Sequence, residues 1–153
     1  MSAGPPTERK QPAPCAEEAA YLDLLRTSEA LSRRPAQALK AEDLSLTQYN
    51  VLRILRGAPD GLTCGEIANR MITRDPDITR LLDRLEKRGL ISRRRDAKDR
   101  RMVATRITGE GGEVLARLEK PMQEAHRKQL GHLGPERLRA LGEMLALCRG
   151  HLV

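Results

Sequence analysis

The chain has 153 residues, enough for one continuous hydrophobic core and too few for a second of comparable size. Lysine and arginine number 28 against 21 acidic residues, and the resulting net charge of +7 favours a polyanionic partner, either nucleic acid or an anionic membrane. Tyr21 and Tyr49 are the only Phe, Tyr or Trp residues, so single-stranded bases find almost no platform to stack on; no run approaches the roughly 18 apolar residues of a membrane span, and the charge points to duplex DNA.

The opening MSAGPPTERKQPAPC lacks the apolar segment of a secretory signal, which makes a cytoplasmic protein the expectation. Its prolines (Pro5, Pro6, Pro12 and Pro14) among polar residues predict a disordered arm over residues 1–15. From Ala16 to about Arg34, Tyr21, Leu24, Leu25, Ser28, Leu31 and Ser32 recur every three or four positions and predict a helix that Pro35 ends or kinks. Ser45 with Gln48, and Thr63 with Glu66, are capping boxes that open the next two helices, the first stopping near Gly57 and the second near Ile72 or Thr73. Asp75 before Pro76 is the start signal of a fourth helix, with Ile78, Leu81, Leu82 and Leu85 on its apolar stripe and Gly89 at its exit. Leu90 to Arg95 and Met102 to Ile107 read as two strands around the turn Asp96-Ala-Lys-Asp-Arg-Arg101. Thr108 then caps a helix whose inward positions are Val114, Leu115, Leu118, Met122 and Ala125 and which Pro121 should bend. A last helix begins at Pro135 and aligns Leu138, Leu141, Leu145, Cys148 and Leu152.

The fold class this describes is mainly α with a small antiparallel β-wing, a winged helix-turn-helix, and the charge falls where that motif lies. Thirteen basic and six acidic residues stand between Arg70 and Arg106, an excess equal to the net charge of the whole chain. With the fourth helix's stripe inward, its other face presents Asp77, Thr79, Arg80 and Arg84, the expected major-groove set. Arg80 suits bidentate bonding to guanine, Asp77 could accept from cytosine, and Thr79 could touch a thymine methyl or a phosphate. Arg84 and Arg88 follow one and two turns on, where phosphate is the nearer target; Arg88 is assigned to the DNA backbone with Thr63 and Arg74. The competing expectation is that these arginines only pair with Asp83 and Glu86 along the helix. Arg94, Arg95, Lys98, Asp99, Arg100 and Arg101 form the wing set, with Arg100 or Arg101 placed to enter a narrow minor groove.

The run from Leu44 to Gly111 resembles the multiple-antibiotic-resistance regulator (MarR) family in LSLTQYNVLRIL, GLTCGEIANRM, ITRLLDRLEKRGLISRRRDAKDRR and VATRITGEG, with the wing signature Asp99-Arg100-Arg101. The resemblance implies a homodimer in which the first and last helices (16–42 and 109–153) form the dimerisation region and 43–108 the DNA-binding domain. It makes Arg101 the minor-groove arginine with Asp99 its partner. Leu24, Leu118, Met122, Leu138, Leu141 and Leu145 are the expected dimer interface; Leu138, Leu141, Leu145 and Leu152, with Val114, Leu118 and Met122, supply more apolar stripe than a small wing domain needs. The resemblance also implies a repressor on a palindromic operator, released by a small aromatic or phenolic effector.

Cys15 is the candidate thiol for an alternative, redox-sensing regulator; Cys64 opens a helix, and Cys148 reads as core. His126, His132 and His151 lack paired-ligand spacing, and the cysteines lack zinc spacing, so no metal or cofactor is expected. Gly109-Glu-Gly-Gly112 lacks the Lys-Ser/Thr of a phosphate loop and suits a strand-to-helix turn. With no nucleophile and base pair in view, an enzyme is not expected. A low-specificity architectural DNA-binding protein would use the same charges without reading bases.

Overall fold

The computed structural model describes residues 15–95 and 103–151. The expected arm, apart from Cys15, and the wing-tip residues Lys98, Asp99, Arg100 and Arg101 lie outside that range. The backbone groups into two units, one ending at Ser32 and one beginning at Arg33.

The elements are α1 (Ala16–Leu39), α2 (Leu46–Arg56), α3 (Cys64–Arg70), α4 (Ile78–Lys87), β1 (Ile91–Arg95), β2 (Val103–Ile107), α5 (Gly109–Leu130) and α6 (Gly134–Gly150). Short 3-10 turns follow α1 and α5. Both capping boxes are present. Ser45 Oγ accepts from the Gln48 amide at 3.1 Å while Gln48 Oε1 accepts from the Ser45 amide at 3.0 Å. Glu66 returns the same reciprocal bond to Thr63 at 2.8 Å. Each box satisfies amide groups that a helix start leaves without partners, which is why the sequence signal located these ends well.

Three boundaries differ from expectation. Pro35 lies inside α1, which runs on to Leu39; its ring is buried with Leu39, so packing offsets the missing amide donor. α3 stops at Arg70, with Met71 already extended and its side chain in the core. α4 starts at Ile78, with Asp77 as its cap, because Asp75 is engaged one step earlier: its Oδ1 accepts from the Asp77 amide at 2.8 Å.

The strands pair antiparallel, with Ile91 opposite Ile107, Arg93 opposite Thr105 and Arg95 opposite Val103. A bridge from Leu62 to Thr105, with amide bonds of 3.0 and 2.8 Å, ties the α2–α3 connection to β2. One core serves the second unit. Leu39, Val51, Leu52, Leu55, Ile67, Leu82, Leu85, Ile91, Leu115 and Leu118 are its most buried members, drawn from α1 to α5. Gly111 in the first turn of α5 allows the closest joint, since a Cβ there would sit 2.2 Å from the Leu90 carbonyl oxygen.

Candidate nucleic-acid interface

α4 carries the centre of the candidate surface. Leu81, Leu82 and Leu85 anchor it in the core, and Thr79, Arg80, Arg84 and Lys87 are exposed on its other side. Its start is held by Asp77, whose Oδ1 accepts from the Arg80 amide at 3.3 Å. Its end is a Schellman turn: Gly89 has φ +72°, its amide bonds the Glu86 carbonyl at 2.8 Å, and the Leu90 amide bonds the Leu85 carbonyl at 3.0 Å. Asp77 also meets Arg80 Nε at 3.1 Å, so the expected cytosine acceptor is a cap and a rest for the neighbouring arginine. The Arg80 side chain is 77% exposed, and a pair so open to water holds it weakly.

The basic residues sort into two groups. Four arginines are structural. Arg88, expected at the DNA backbone, instead donates to the carbonyl oxygens of Asp43 and Glu42 at 2.5 and 2.7 Å, because the turn after α1 ends in carbonyls that need donors and the exit of α4 lies beside them. Arg106 donates to the Asp60 carbonyl at 2.6 Å, clamping β2 to the α2–α3 turn. Arg117 meets Glu42 at 2.8 and 3.1 Å, and this bonding holds the Glu42 carboxyl below its ordinary range and raises Arg117. Arg93 reaches from β1 to Asp83 and Glu86, with Glu86 Oε2 accepting from its Nε at 2.8 Å. The Arg93 hydrogen bond depresses Glu86, and the same bond raises Arg93.

The second group is open. Arg70, Arg74, Arg84, Lys87, Arg94 and Arg95 are exposed and form no ion pair with another described residue. The alternative in which Asp83 and Glu86 neutralise the helix arginines therefore does not describe α4. Arg93 takes both carboxylates, and Arg84 keeps its charge for solvent or a ligand. Thr63, the other expected backbone contact, has its hydroxyl in the α3 capping box, donating to Glu66 at 2.9 Å and accepting from the Glu66 amide at 3.3 Å. Glu66 is depressed accordingly, first by the Thr63 backbone bond.

Two expected dimer residues need correction. Leu118 and Met122 are 1% and 5% exposed within the chain's own core, because the inward stripe of α5 packs against the other elements of that core. Leu138, Leu141 and Leu145 are half-buried on α6, where Met144 and Leu147 are exposed; Leu24 is exposed on α1. Cys148, expected in the core, is exposed for the same reason: α6 contributes nothing to the buried cluster. Cys15 is exposed, with its thiol against Glu17, and Cys64 is partly covered by the core. The described residues hold no group of three or more His, Cys, Asp or Glu side chains placed for a metal, and no described helix is long and apolar enough to cross a membrane.

Sequence reading missed one feature between α2 and α5. A cavity of about 180 Å³ lies between α2 and α5, lined by Tyr49, Arg53, Arg56, Leu115, Met122 and His126 among others, with the Arg53 guanidinium 5.9 Å from the Tyr49 ring centre. The arginines at 53 and 56 share one side of α2, a signal the sequence contained.

Residues 44–103 match the family model described as MarR family. The chain is similar to the HTH-type transcriptional regulator PecS of Dickeya dadantii (strain 3937), 30% identical over 132 residues that cover 85% of this chain and 80% of that one. It is similar to the crystal structure of a MarR transcription factor from Planctomyces limnophilus, with 38% identity, TM-score 0.66, and 90% and 99% of the two chains covered. It is also similar to the transcriptional repressor CouR bound to a 23-mer DNA duplex, with 28% identity, TM-score 0.78, and 91% and 99% covered.

Proposed function

The chain belongs to the MarR family of winged helix-turn-helix transcription regulators, and from that premise we propose that it is a cytoplasmic repressor that binds a palindromic duplex operator as a homodimer. One observation carries the reading. Thr79, Arg80 and Arg84 stand free of the core on one side of α4, while Arg93 pairs with both carboxylates of that helix and offsets part of their repulsion for phosphate. Arg80 reads a guanine edge in the major groove through two parallel bonds, and Arg84, Arg74, Arg94 and Arg95 meet phosphates. On the family's pattern Arg101 is assigned to the minor groove with Asp99 as its partner, and Lys98 and Arg100 are assigned to the same DNA-contacting set. The likeness to a repressor bound to a 23-mer duplex supports the choice of partner.

Dimerisation is assigned to the terminal helices, where Leu24 on α1 and Leu138, Leu141, Leu145 and Leu147 on α6 keep apolar surface uncovered in a single chain. The effector is a single-ring aromatic or phenolic acid. The cavity between α2 and α5 has room for one ring, and Arg53 and Arg56 supply positive charge for its carboxylate.

Selection of bound sequences from random duplex, followed by competition at fixed salt, tests this. A regulator should prefer its selected site by about 10³-fold or more, and Arg80→Ala should relax the choice at one position of each half-site. Equal binding to random duplex would instead make the protein an architectural one. Challenging the operator complex with benzoate-type acids should release the DNA, and Arg53→Ala should blunt that release.

A further inference from the structure

Arg93 lies where the core-facing side of the wing leaves the protein. Side chains of β1 alternate, so Ile91, Arg93 and Arg95 point to one side, and their exposure rises from buried through intermediate to exposed. Opposite Arg93 on the same side is Thr105, which is almost fully buried. A guanidinium at such a rim needs partners, and α4 supplies them at positions 83 and 86, three residues apart and therefore on one side of the helix. Glu86 binds the strand twice over. Its Oε1 accepts the Arg93 backbone amide at 3.1 Å, and its Oε2 accepts Nε and Nη2 at 2.8 and 2.6 Å. Asp83 accepts a further bond from Nη2. Backbone and side chain of one strand residue are thus fastened to two residues of α4, in a setting where the Arg93 side chain is only 25% exposed. Bidentate, charge-assisted bonds of this kind fix orientation as well as distance.

We propose that Arg93 is a positioning residue for DNA reading: it touches no DNA, and by fastening β1 to α4 it holds wing and recognition helix as one rigid head. The inference rests on the DNA-binding reading above. Arg84 and Lys87 on α4 and Arg94 and Arg95 on β1 have a spacing that this joint helps to fix, and phosphates along a duplex are themselves fixed in spacing. Loss of the joint should cost affinity even where every DNA-facing side chain remains.

The experiment uses the full chain and a labelled duplex carrying the sequence selected with the parent protein. Arg93→Gln, checked for a parent-like circular dichroism spectrum at the assay temperature, should bind about tenfold more weakly. Arg93→Lys, which keeps the charge and can satisfy part of the acceptor set, should recover part of that loss. A double-mutant cycle supplies the readout that a purely structural role would not move. If Arg93 positions the wing, adding Arg95→Ala to Arg93→Gln should cost much less than it costs the parent, because the wing contact has already been lost. Additive losses, or parent-like binding by folded Arg93→Gln, would overturn the proposal. Should Arg93→Gln not fold, Glu86→Gln weakens the same joint with Asp83 still in place, and there a loss of about threefold is expected and undiminished binding is the contrary result. Failure of the parent to prefer any duplex would remove the DNA-binding reading itself, whereas preference by the parent with indifference to Arg93 removes only this inference.

Discussion

Arg84 and Arg88 lie one helical turn apart at the end of α4, and the partners each has found set them different tasks. Arg88 donates to two backbone carbonyls 45 and 46 residues away in sequence, while Arg84 is exposed with no ion pair to a described residue. If Arg84 meets a phosphate, Arg84→Ala should lower the slope of log affinity against log salt by about 0.9 per subunit and leave the melting temperature within a degree or two. Arg88→Ala should do the reverse. It strands two carbonyls at the end of the 3-10 turn, costs about 1 kcal/mol of stability for bonds near the surface, and leaves the salt slope alone. A salt titration and a thermal melt on each protein decide the matter; equal slopes for the two variants would mean that the sorting of arginines by partner does not carry over to DNA. Sequence spacing alone placed both residues on one basic stripe. It could not separate them, because the carbonyls that claim Arg88 are brought near only by the tertiary fold.

Among elements, the joint between the wing and α5 is the tightest and the most exposed to a single-atom change. A Cβ at Gly111 would approach the Leu90 carbonyl oxygen to 2.2 Å and the Ile107 Cγ1 to 2.8 Å, and the first of these neighbours is backbone that cannot rotate away. Gly111→Ala should therefore destabilise the protein by roughly 1–3 kcal/mol, the usual cost of overpacking, in spite of alanine's better helix propensity. Gly112 makes the internal control, since a Cβ there meets nothing within 4 Å; Gly112→Ala should be neutral or slightly stabilising. Denaturant midpoints for the two variants that coincide would contradict the joint as described. Element existence was legible in the sequence wherever the signal is local: the Ser45 and Thr63 boxes and the cap at Thr108 each join residues three apart, and each is present. The start of α4 was not, because Asp75 and Asp77 offer the same chemistry two residues apart and only the path of the backbone chooses between them. That α1 runs on past Pro35 to Leu39 was hidden for a related reason, since the burial of that ring is a tertiary fact. The apolar stripe of α5 told that Leu118 and Met122 are buried without telling against what, and the answer is this chain's own core.

At the scale of the molecule, the contrast between α5 and α6 bears on assembly. α5 contributes Val114, Leu115, Leu118 and Met122 to the core, while α6 contributes no buried residue and leaves Leu147 71% exposed. A helix of this length with leucines at 138, 141 and 145 only half-covered gains little from folding alone, and each such leucine, once fully buried, is worth roughly 1.5–3 kcal/mol. In an isologous interface the same patch serves both subunits, so each substitution there acts twice. If the proposed dimer forms through α6, Leu147→Glu places two carboxylates in the contact and should shift sedimentation of micromolar protein from dimer towards monomer. The affinity for a duplex with two half-sites should then fall far more than that for a single half-site, because a dimer's second contact is intramolecular and a monomer's is not. Helical content measured at the same concentration separates dissociation from unfolding. A Leu147→Glu protein that stays dimeric and keeps its operator affinity would place the subunit contact somewhere other than the exposed side of α6.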